Sequence, residues 1–180
     1  MRPNDFPQYL VLDMVLKTGH SWAMKKVTAP LITVIIPAFN AQASIERAVK
    51  SALDQTSGSV ELIVVNDCSS DNTQLLLQHL EKEVRNLRVI SNKFNKGAAA
   101  ARNQGIDAAN GEWITFLDAD DYFDLKYIEA VRKHLQKKEF ICTSYVETGT
   151  SGEKKHKNHE LVANIDLNDK ALLNYLEQYY

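Results

Sequence analysis

The sequence predicts an α/β fold, a mainly parallel sheet with helices on both faces, and three observations carry the prediction. From residue 31 onward, short apolar runs rich in β-branched residues alternate with stretches of helical period. The runs are continuously apolar, as strands buried on both faces are. Polar residues gather just after those runs, at the edge where open parallel sheets meet their ligands.

Each element can be justified in turn. "ITVIIP" (32–37) is a buried strand stopped by Pro37. "AQASIERAVKSALDQT" (41–56) carries Ile45, Ala48, Val49, Ala52 and Leu53 on one helical face, with Asn40 as its expected N-cap. "VELIVV" (60–65) is the second strand. "SSDNT" (69–73) offers caps to a helix reaching about residue 84, with Leu76, Leu77 and Leu80 inward. "LRVI" (87–90) is a short third strand. Residues 98–109 form an Ala-rich helix that Gly111 is expected to close at a C′-type position. "EWITFL" (112–117) is the fourth strand, 125–136 a helix, and "EFICTSYV" (139–146) strand-like. Crossovers of this length between strands are right-handed.

The flanks are less regular. Residues 1–30 are read as an N-terminal extension: a leader upstream of an internal start at Met24, or a short amphipathic helix. No basic n-region with a cleavage site marks a signal peptide, and no apolar run has the length of a membrane span. The core is expected over 31–146. The hydrophilic run 147–160 is read as a loop or lid, followed by a last helix near 167–180. That helix reaches the final residue without a capping signal, so the chain is expected to be a fragment.

Composition narrows the function. The chain has 180 residues, 44% hydrophobic and 24% charged, which suits one soluble domain with a real core. A net charge of −2 gives no case for nucleic acid as a partner. Cys68 and Cys142 make no disulfide framework and are read as reduced thiols in a cytosolic setting. The five histidines show no metal spacing beyond His156 and His159 in the polar run. GxGxxG, GxxxxGK[ST] and GxSxG are all absent.

The chemistry is expected at four strand ends: "PAFN", "NDCSSD", "SNKFNKG" and "DADD". Asp67 can accept bonds from a ligand or cap the next helix; Ser69, Ser70 and Asp71 are better placed caps, which favours the ligand. Asp118 and Asp120, one residue apart, point to the same side if the backbone is extended, and can then hold Mg²⁺ or Mn²⁺. The bland reading is a solvated acidic turn, with Asp121 or Asp124 capping a helix. Arg102, one turn into the Ala-rich helix, can bind an anion or pair with one of the aspartates.

Taken together, "VIIPAFNAQASIERAVKSALDQT", "ELIVVNDCSSDNT" and "NKGAAAARNQGIDAANGEWITFLDADD" resemble the nucleotide-sugar-binding half of family 2 glycosyltransferases, over roughly residues 31–125. The resemblance implies the Rossmann-like GT-A fold and inverting transfer of a sugar from a nucleotide diphosphate, usually a UDP-sugar, to an acceptor hydroxyl. By position, Pro37, Ala38, Phe39 and Asn40 would line the nucleoside site and Asp67 would bind the base. Arg102 would face the diphosphate, Asp118 the ribose or the metal, and Asp120 would be the principal ligand of Mn²⁺ or Mg²⁺. Cys68 replaces the glycine of the family's usual "NDGS".

The resemblance also implies a saccharide or lipid-linked acceptor and a cytoplasmic setting, with peripheral membrane association and a homo-oligomer left open. Its catalytic base belongs to an acceptor-side region that 147–180 would only begin, so no base is assigned. The alternative is a truncated or non-catalytic nucleotide-sugar binding module. A nucleotidyltransferase is disfavoured because its Gly-rich N-terminal loop is missing.

Overall fold

The computed structural model describes residues 14–17, 32–56, 60–133, 135, 140–142, 145–148 and 154–157. The expected helix near 167–180 lies outside the described residues. In chain order the elements are β1 (Met14–Lys17), β2 (Ile32–Ala38), α1 (Ile45–Leu53), β3 (Glu61–Asn66), α2 (Thr73–Glu83), β4 (Leu87–Ser91), α3 (Ala98–Ala108), β5 (Trp113–Phe116), α4 (Tyr127–Arg132), β6 (Phe140–Cys142), β7 (Tyr145–Thr148) and β8 (Lys154–Lys157). Six strands form one sheet in the order β4-β3-β2-β5-β1-β6, and β7 pairs with β8.

The centre of the sheet is parallel. β2 lies between β3 and β5, and β4 flanks β3. Alternation along β2 sends Ile32, Val34, Ile36 and Ala38 to one face, packed with Ile45, Val49 and Ala52 of α1, Leu77 of α2 and Ile128 of α4. Ile35 points to the other face, beside Ile114, Phe116 and Ile106 of α3. Ile63 and Val65 of β3 meet Ala101 there. Both faces are therefore covered, which is why these strands are apolar without alternation.

Four expectations need correction. Residues 14–17 are not helical: β1 is a strand that runs antiparallel to both β5 and β6. The polar run is not all loop, because Glu147 and Thr148 pair with Lys155 and Lys154 in an antiparallel hairpin; backbone pairing needs no apolar side chains. Asn40 does not cap α1, which begins only at Ile45 with Ser44 before it. Nor does Gly111 end α3: Ala109 occupies the C-cap, and the buried Gly111 N–H donates to Thr33 Oγ1 at 2.9 Å. A Cβ at 111 would stand 2.5 Å from that oxygen, so the glycine is required by close approach to the sheet.

The Ala-rich helix is thin for a similar reason. Gly105 lies against β2, where an added Cβ would stand 2.4 Å from Ile35 Cγ2. Gly105→Ala should therefore destabilise the fold by about 1–3 kcal/mol through overpacking, outweighing a helix-propensity gain of about 1 kcal/mol. Urea denaturation checks this; an unchanged or raised midpoint would show that α3 can lift off the sheet at no cost.

Candidate functional site

Parallel pairing brings the ends of four strands to one edge. Ala38 is level with Asn66, Asn66 with Ser91, and Ile35 with Phe116. Beyond that edge lies a cleft of about 350 Å³. Pro37, Phe39, Asn40, Ala41 and Ser44 line it from the β2–α1 loop, Ala98 and Arg102 from α3, and Asp118, Ala119 and Asp120 from the segment after β5. Of the eight residues expected at a binding site, six share this space. Ala38 is only 1% exposed and packs into the core instead. Asp67 is the other absentee.

Asp67 is 3% exposed and has a different occupation. Its Oδ1 accepts hydrogen bonds from Asn92 Nδ2 at 2.8 Å and Lys96 N at 3.0 Å. Its Oδ2 accepts from Lys96 N at 2.9 Å and Gly97 N at 2.7 Å. A carboxylate has about four acceptor positions, and all are engaged in closing the 92–97 loop onto the start of α3. The expectation that Asp67 is the freer acid, with capping left to its neighbours, is thus corrected. Sequence spacing did not show that donors 25–30 residues away would converge on it.

The wall next to Asp67 is stitched by side chains. Asn40 has φ +49°; its Oδ1 accepts from Ser70 N at 2.8 Å, and its own N–H donates to Ser69 Oγ at 3.0 Å. Asp71 Oδ1 accepts from Thr73 N, and its Oδ2 from Gln42 N. Ala41 N donates to Thr73 Oγ1 at 2.8 Å. Cys68 has φ +63°, the left-handed region that explains why a glycine is usual at this point of the motif. Its thiol donates to the Lys93 carbonyl at 3.4 Å, one partial compensation for about 1–2 kcal/mol of backbone strain.

The acidic segment is a turn rather than an extended strand. Asp121 N donates to the Asp118 carbonyl at 3.0 Å, so β5 ends before the aspartates. Asp118 and Asp120 still line one cleft, but the turn brings them there, not strand alternation. Arg102 Nη2 donates to Asp118 Oδ1 at 2.6 Å, with both side chains about four-fifths covered. The guanidinium carbon is also 6.0 Å from the Phe116 ring centroid. Of the two readings of Arg102, the internal ion pair is the one seen. Asp124 Oδ1 accepts from Lys126 N at 2.9 Å in the turn before α4; Lys126 is the N-cap of that helix, so Asp124 does not take the capping place expected of it.

The three aspartates differ sharply in environment. Asp118 is paired, and Asp120 is exposed with no hydrogen-bond partner for its carboxylate among the described residues. Asp121 is half-buried: burial, then repulsion from Asp120 and Asp118, pushes its carboxyl up to about 6, against the pull of Arg47. Among the described residues no group of three or more His, Cys, Asp or Glu side chains could hold a metal ion alone. One or two carboxylates with phosphate and water oxygens is nevertheless a donor set that suits Mg²⁺ or Mn²⁺. The residues fit such an ion when a phosphate ligand completes its shell.

Fold and cleft together define a Rossmann-like α/β domain of GT-A type, with its polar site at the carboxyl edge of the sheet. More particularly, the chain belongs to Glycosyl transferase family 2, whose model matches residues 33–178. It is similar to the Escherichia coli UDP-Glc:alpha-D-GlcNAc-diphosphoundecaprenol beta-1,3-glucosyltransferase WfgD, 38% identical over 99 residues, 55% of this chain and 38% of that protein. S. aureus TarS in complex with UDP-GlcNAc matches at TM-score 0.55 and 27% identity, over 64% of this chain and 32% of that one. The Pyrobaculum calidifontis mannosyltransferase PcManGT, in complex with GDP-Man and Mn²⁺, matches at TM-score 0.56 and 25% identity, over 59% and 32% of the two chains. The chain spans about a third of the length of the curated relatives it matches.

Two predictions follow from this geometry. Asp67→Asn turns one acceptor into a donor facing Asn92, Lys96 and Gly97, and should cost about 1–3 kcal/mol. Hydrogen exchange should show the loss as lower protection at Lys96 and Gly97; unaltered protection would refute the anchoring role. Asp121 holds its proton more tightly when folded than at its ordinary value of 3.8. Its contribution to stability therefore falls as pH rises from 3.8 to about 6, and the full penalty stands above that. In chelator-treated protein, Asp121→Asn should raise Tm relative to the wild type more at pH 7 than at pH 4. A difference independent of pH would exclude the titration.

Proposed function

We propose that this chain is the donor-binding part of an inverting glycosyltransferase that moves a sugar from a nucleoside diphosphate, a UDP-sugar, to an acceptor hydroxyl. The observation that carries the reading is one cleft shared by the β2–α1 loop, Arg102, Asp118 and Asp120. WfgD is named for a UDP-Glc donor and a diphosphoundecaprenol-linked acceptor, and TarS was captured with UDP-GlcNAc. Those names support a UDP-sugar as donor and a saccharide on a lipid diphosphate as acceptor. Such an acceptor would bring the protein to the inner face of a membrane as a peripheral partner; no helix of the described residues is long and apolar enough to cross one.

In this reading Phe39, half exposed in the cleft, offers its ring to the nucleoside, and Pro37 and Asn40 shape that end. Asp67 acts on the base side through the loop it holds. To reach the base directly, it has to give up one of the two bonds from Lys96. Arg102 exchanges the Asp118 carboxylate for diphosphate oxygens, one charge-assisted pair for another. That exchange leaves Asp118 free beside Asp120. Asp120, with Asp118, would hold a Mg²⁺ or Mn²⁺, whose positive charge would stabilise the departing diphosphate.

Thermal shift tests the proposal. UDP with Mn²⁺ at about a hundredfold excess over Kd should add about 2.7 kcal/mol of stability, and Asp120→Ala should abolish the cation-dependent part of the rise. If neither UDP nor any other nucleotide diphosphate moves the wild-type Tm with or without cation, the reading fails.

A further inference from the structure

One edge of α1 is a polar ridge whose bonds follow the chain beyond β5. Arg47, Ser51 and Gln55 are spaced by four, so their side chains stand one above another along the helix and just past its end. Arg47 Nη2 donates to the backbone carbonyl of Asp120. Ser51 Oγ accepts from Phe123 N at 3.0 Å. Gln55 Nε2 donates to the Asp124 carbonyl at 2.9 Å, and its Oε1 accepts from Ile128 N at 2.9 Å. The backbone from 120 to 128 is thus held at successive points against one helix. Ser51 and Gln55 secure the descent into α4, whereas Arg47 alone among the three reaches the 118–121 turn.

Arg47 is held there on two sides. Its guanidinium carbon lies 4.9 Å from the Tyr122 ring centroid, a cation–π distance, so the side chain is oriented by the same segment it binds. Its charge also faces the half-buried Asp121, where it opposes the repulsion from Asp118 and Asp120. The aspartate turn has only one internal backbone bond, from Asp121 N to the Asp118 carbonyl. The Asp120 carboxylate, exposed and unbonded, has its place fixed by its backbone alone. Whatever holds the Asp120 carbonyl therefore decides where that carboxylate stands.

We infer that Arg47 is a positioning residue for the 118–121 turn: it fixes the Asp120 backbone so that the Asp120 carboxylate is presented to a cation bound with the donor. The cation role rests on the donor-binding reading proposed above, while the hold on the turn does not. Arg47 does not itself line the cleft; it reaches it only through the backbone of Asp120, which does. Lysine keeps the charge and can donate to the carbonyl, but has no planar guanidinium to lie over Tyr122, so it should replace arginine only in part.

The test uses the 180-residue chain as wild type, Arg47→Ala and Arg47→Lys, with two readouts. In metal-free protein, amide exchange at Asp121 should speed up about tenfold in Arg47→Ala and less in Arg47→Lys, without a uniform rise elsewhere. Calorimetry with UDP should show cation-dependent affinity for UDP and Mn²⁺ about tenfold weaker in Arg47→Ala, partly restored in Arg47→Lys, and UDP affinity without cation unchanged. Unchanged exchange at Asp121 overturns the inference, as does a general loss of protection. So does faster exchange with wild-type affinity for UDP and Mn²⁺. Should the wild type itself bind no UDP with Mn²⁺, the donor reading falls with the cation role, and the exchange data still decide whether Arg47 holds the turn.

Discussion

Parallel pairing of buried strands is the constraint on which the rest depends. A strand covered on both faces must satisfy its backbone groups within the sheet, and here β2 does so between β3 and β5, all pointing the same way. Their carboxyl ends must then finish together. Each chain continuation has to leave by that edge, and each loop there carries polar residues because it meets water. The cleft is the gap between those departing loops. Small residues keep it open: Ala41, Ala98 and Ala119 line it, and Gly105 lets α3 settle close to β2.

Within that frame the acidic turn is balanced by separation of roles. Three carboxylates in four positions repel, yet the chain gives each a different environment. Arg102 neutralises Asp118 across 2.6 Å. Water screens the exposed Asp120. Asp121 is left half-buried with its carboxyl raised to about 6, so the residual repulsion is concentrated on one group. Arg47 opposes it from the far side. In the proposed reading, a cation joining Asp118 and Asp120 would also relieve the repulsion on Asp121.

How much of this was legible follows from the range of the interactions. The four parallel strands and their helices could be read because apolar period and β-branched runs are local signals, and six of eight expected site residues do share one cleft. Asp118 and Asp120 do line one cleft, but not for the reason expected: the extended backbone that the DxD spacing suggested is a turn. β1 was missed because a four-residue strand inserted between β5 and β6 is fixed by those partners, not by its own pattern. The hold of Asp67 on the 92–97 loop was not foreseen because its donors come from 25–30 residues later. Arg47 offered only a helix position, with no sign that it would reach residue 120.

The missed contacts have a common consequence. Asp67 closes the 92–97 loop, Asn40 and Asp71 join the loops after β2 and β3, and Arg47 fastens the turn after β5. All four act on backbone groups at the rim, and none contributes an apolar contact to the core. Loops at such an edge would otherwise sample many conformations, and ordering each residue on binding costs about 1–2 kcal/mol of backbone entropy. Folding has already met that cost here, so a ligand entering the cleft keeps more of its interaction energy as affinity. The hydrogen bonds that hold backbone at the rim are therefore what make the cleft ready for a ligand, whether or not the same side chains also meet it.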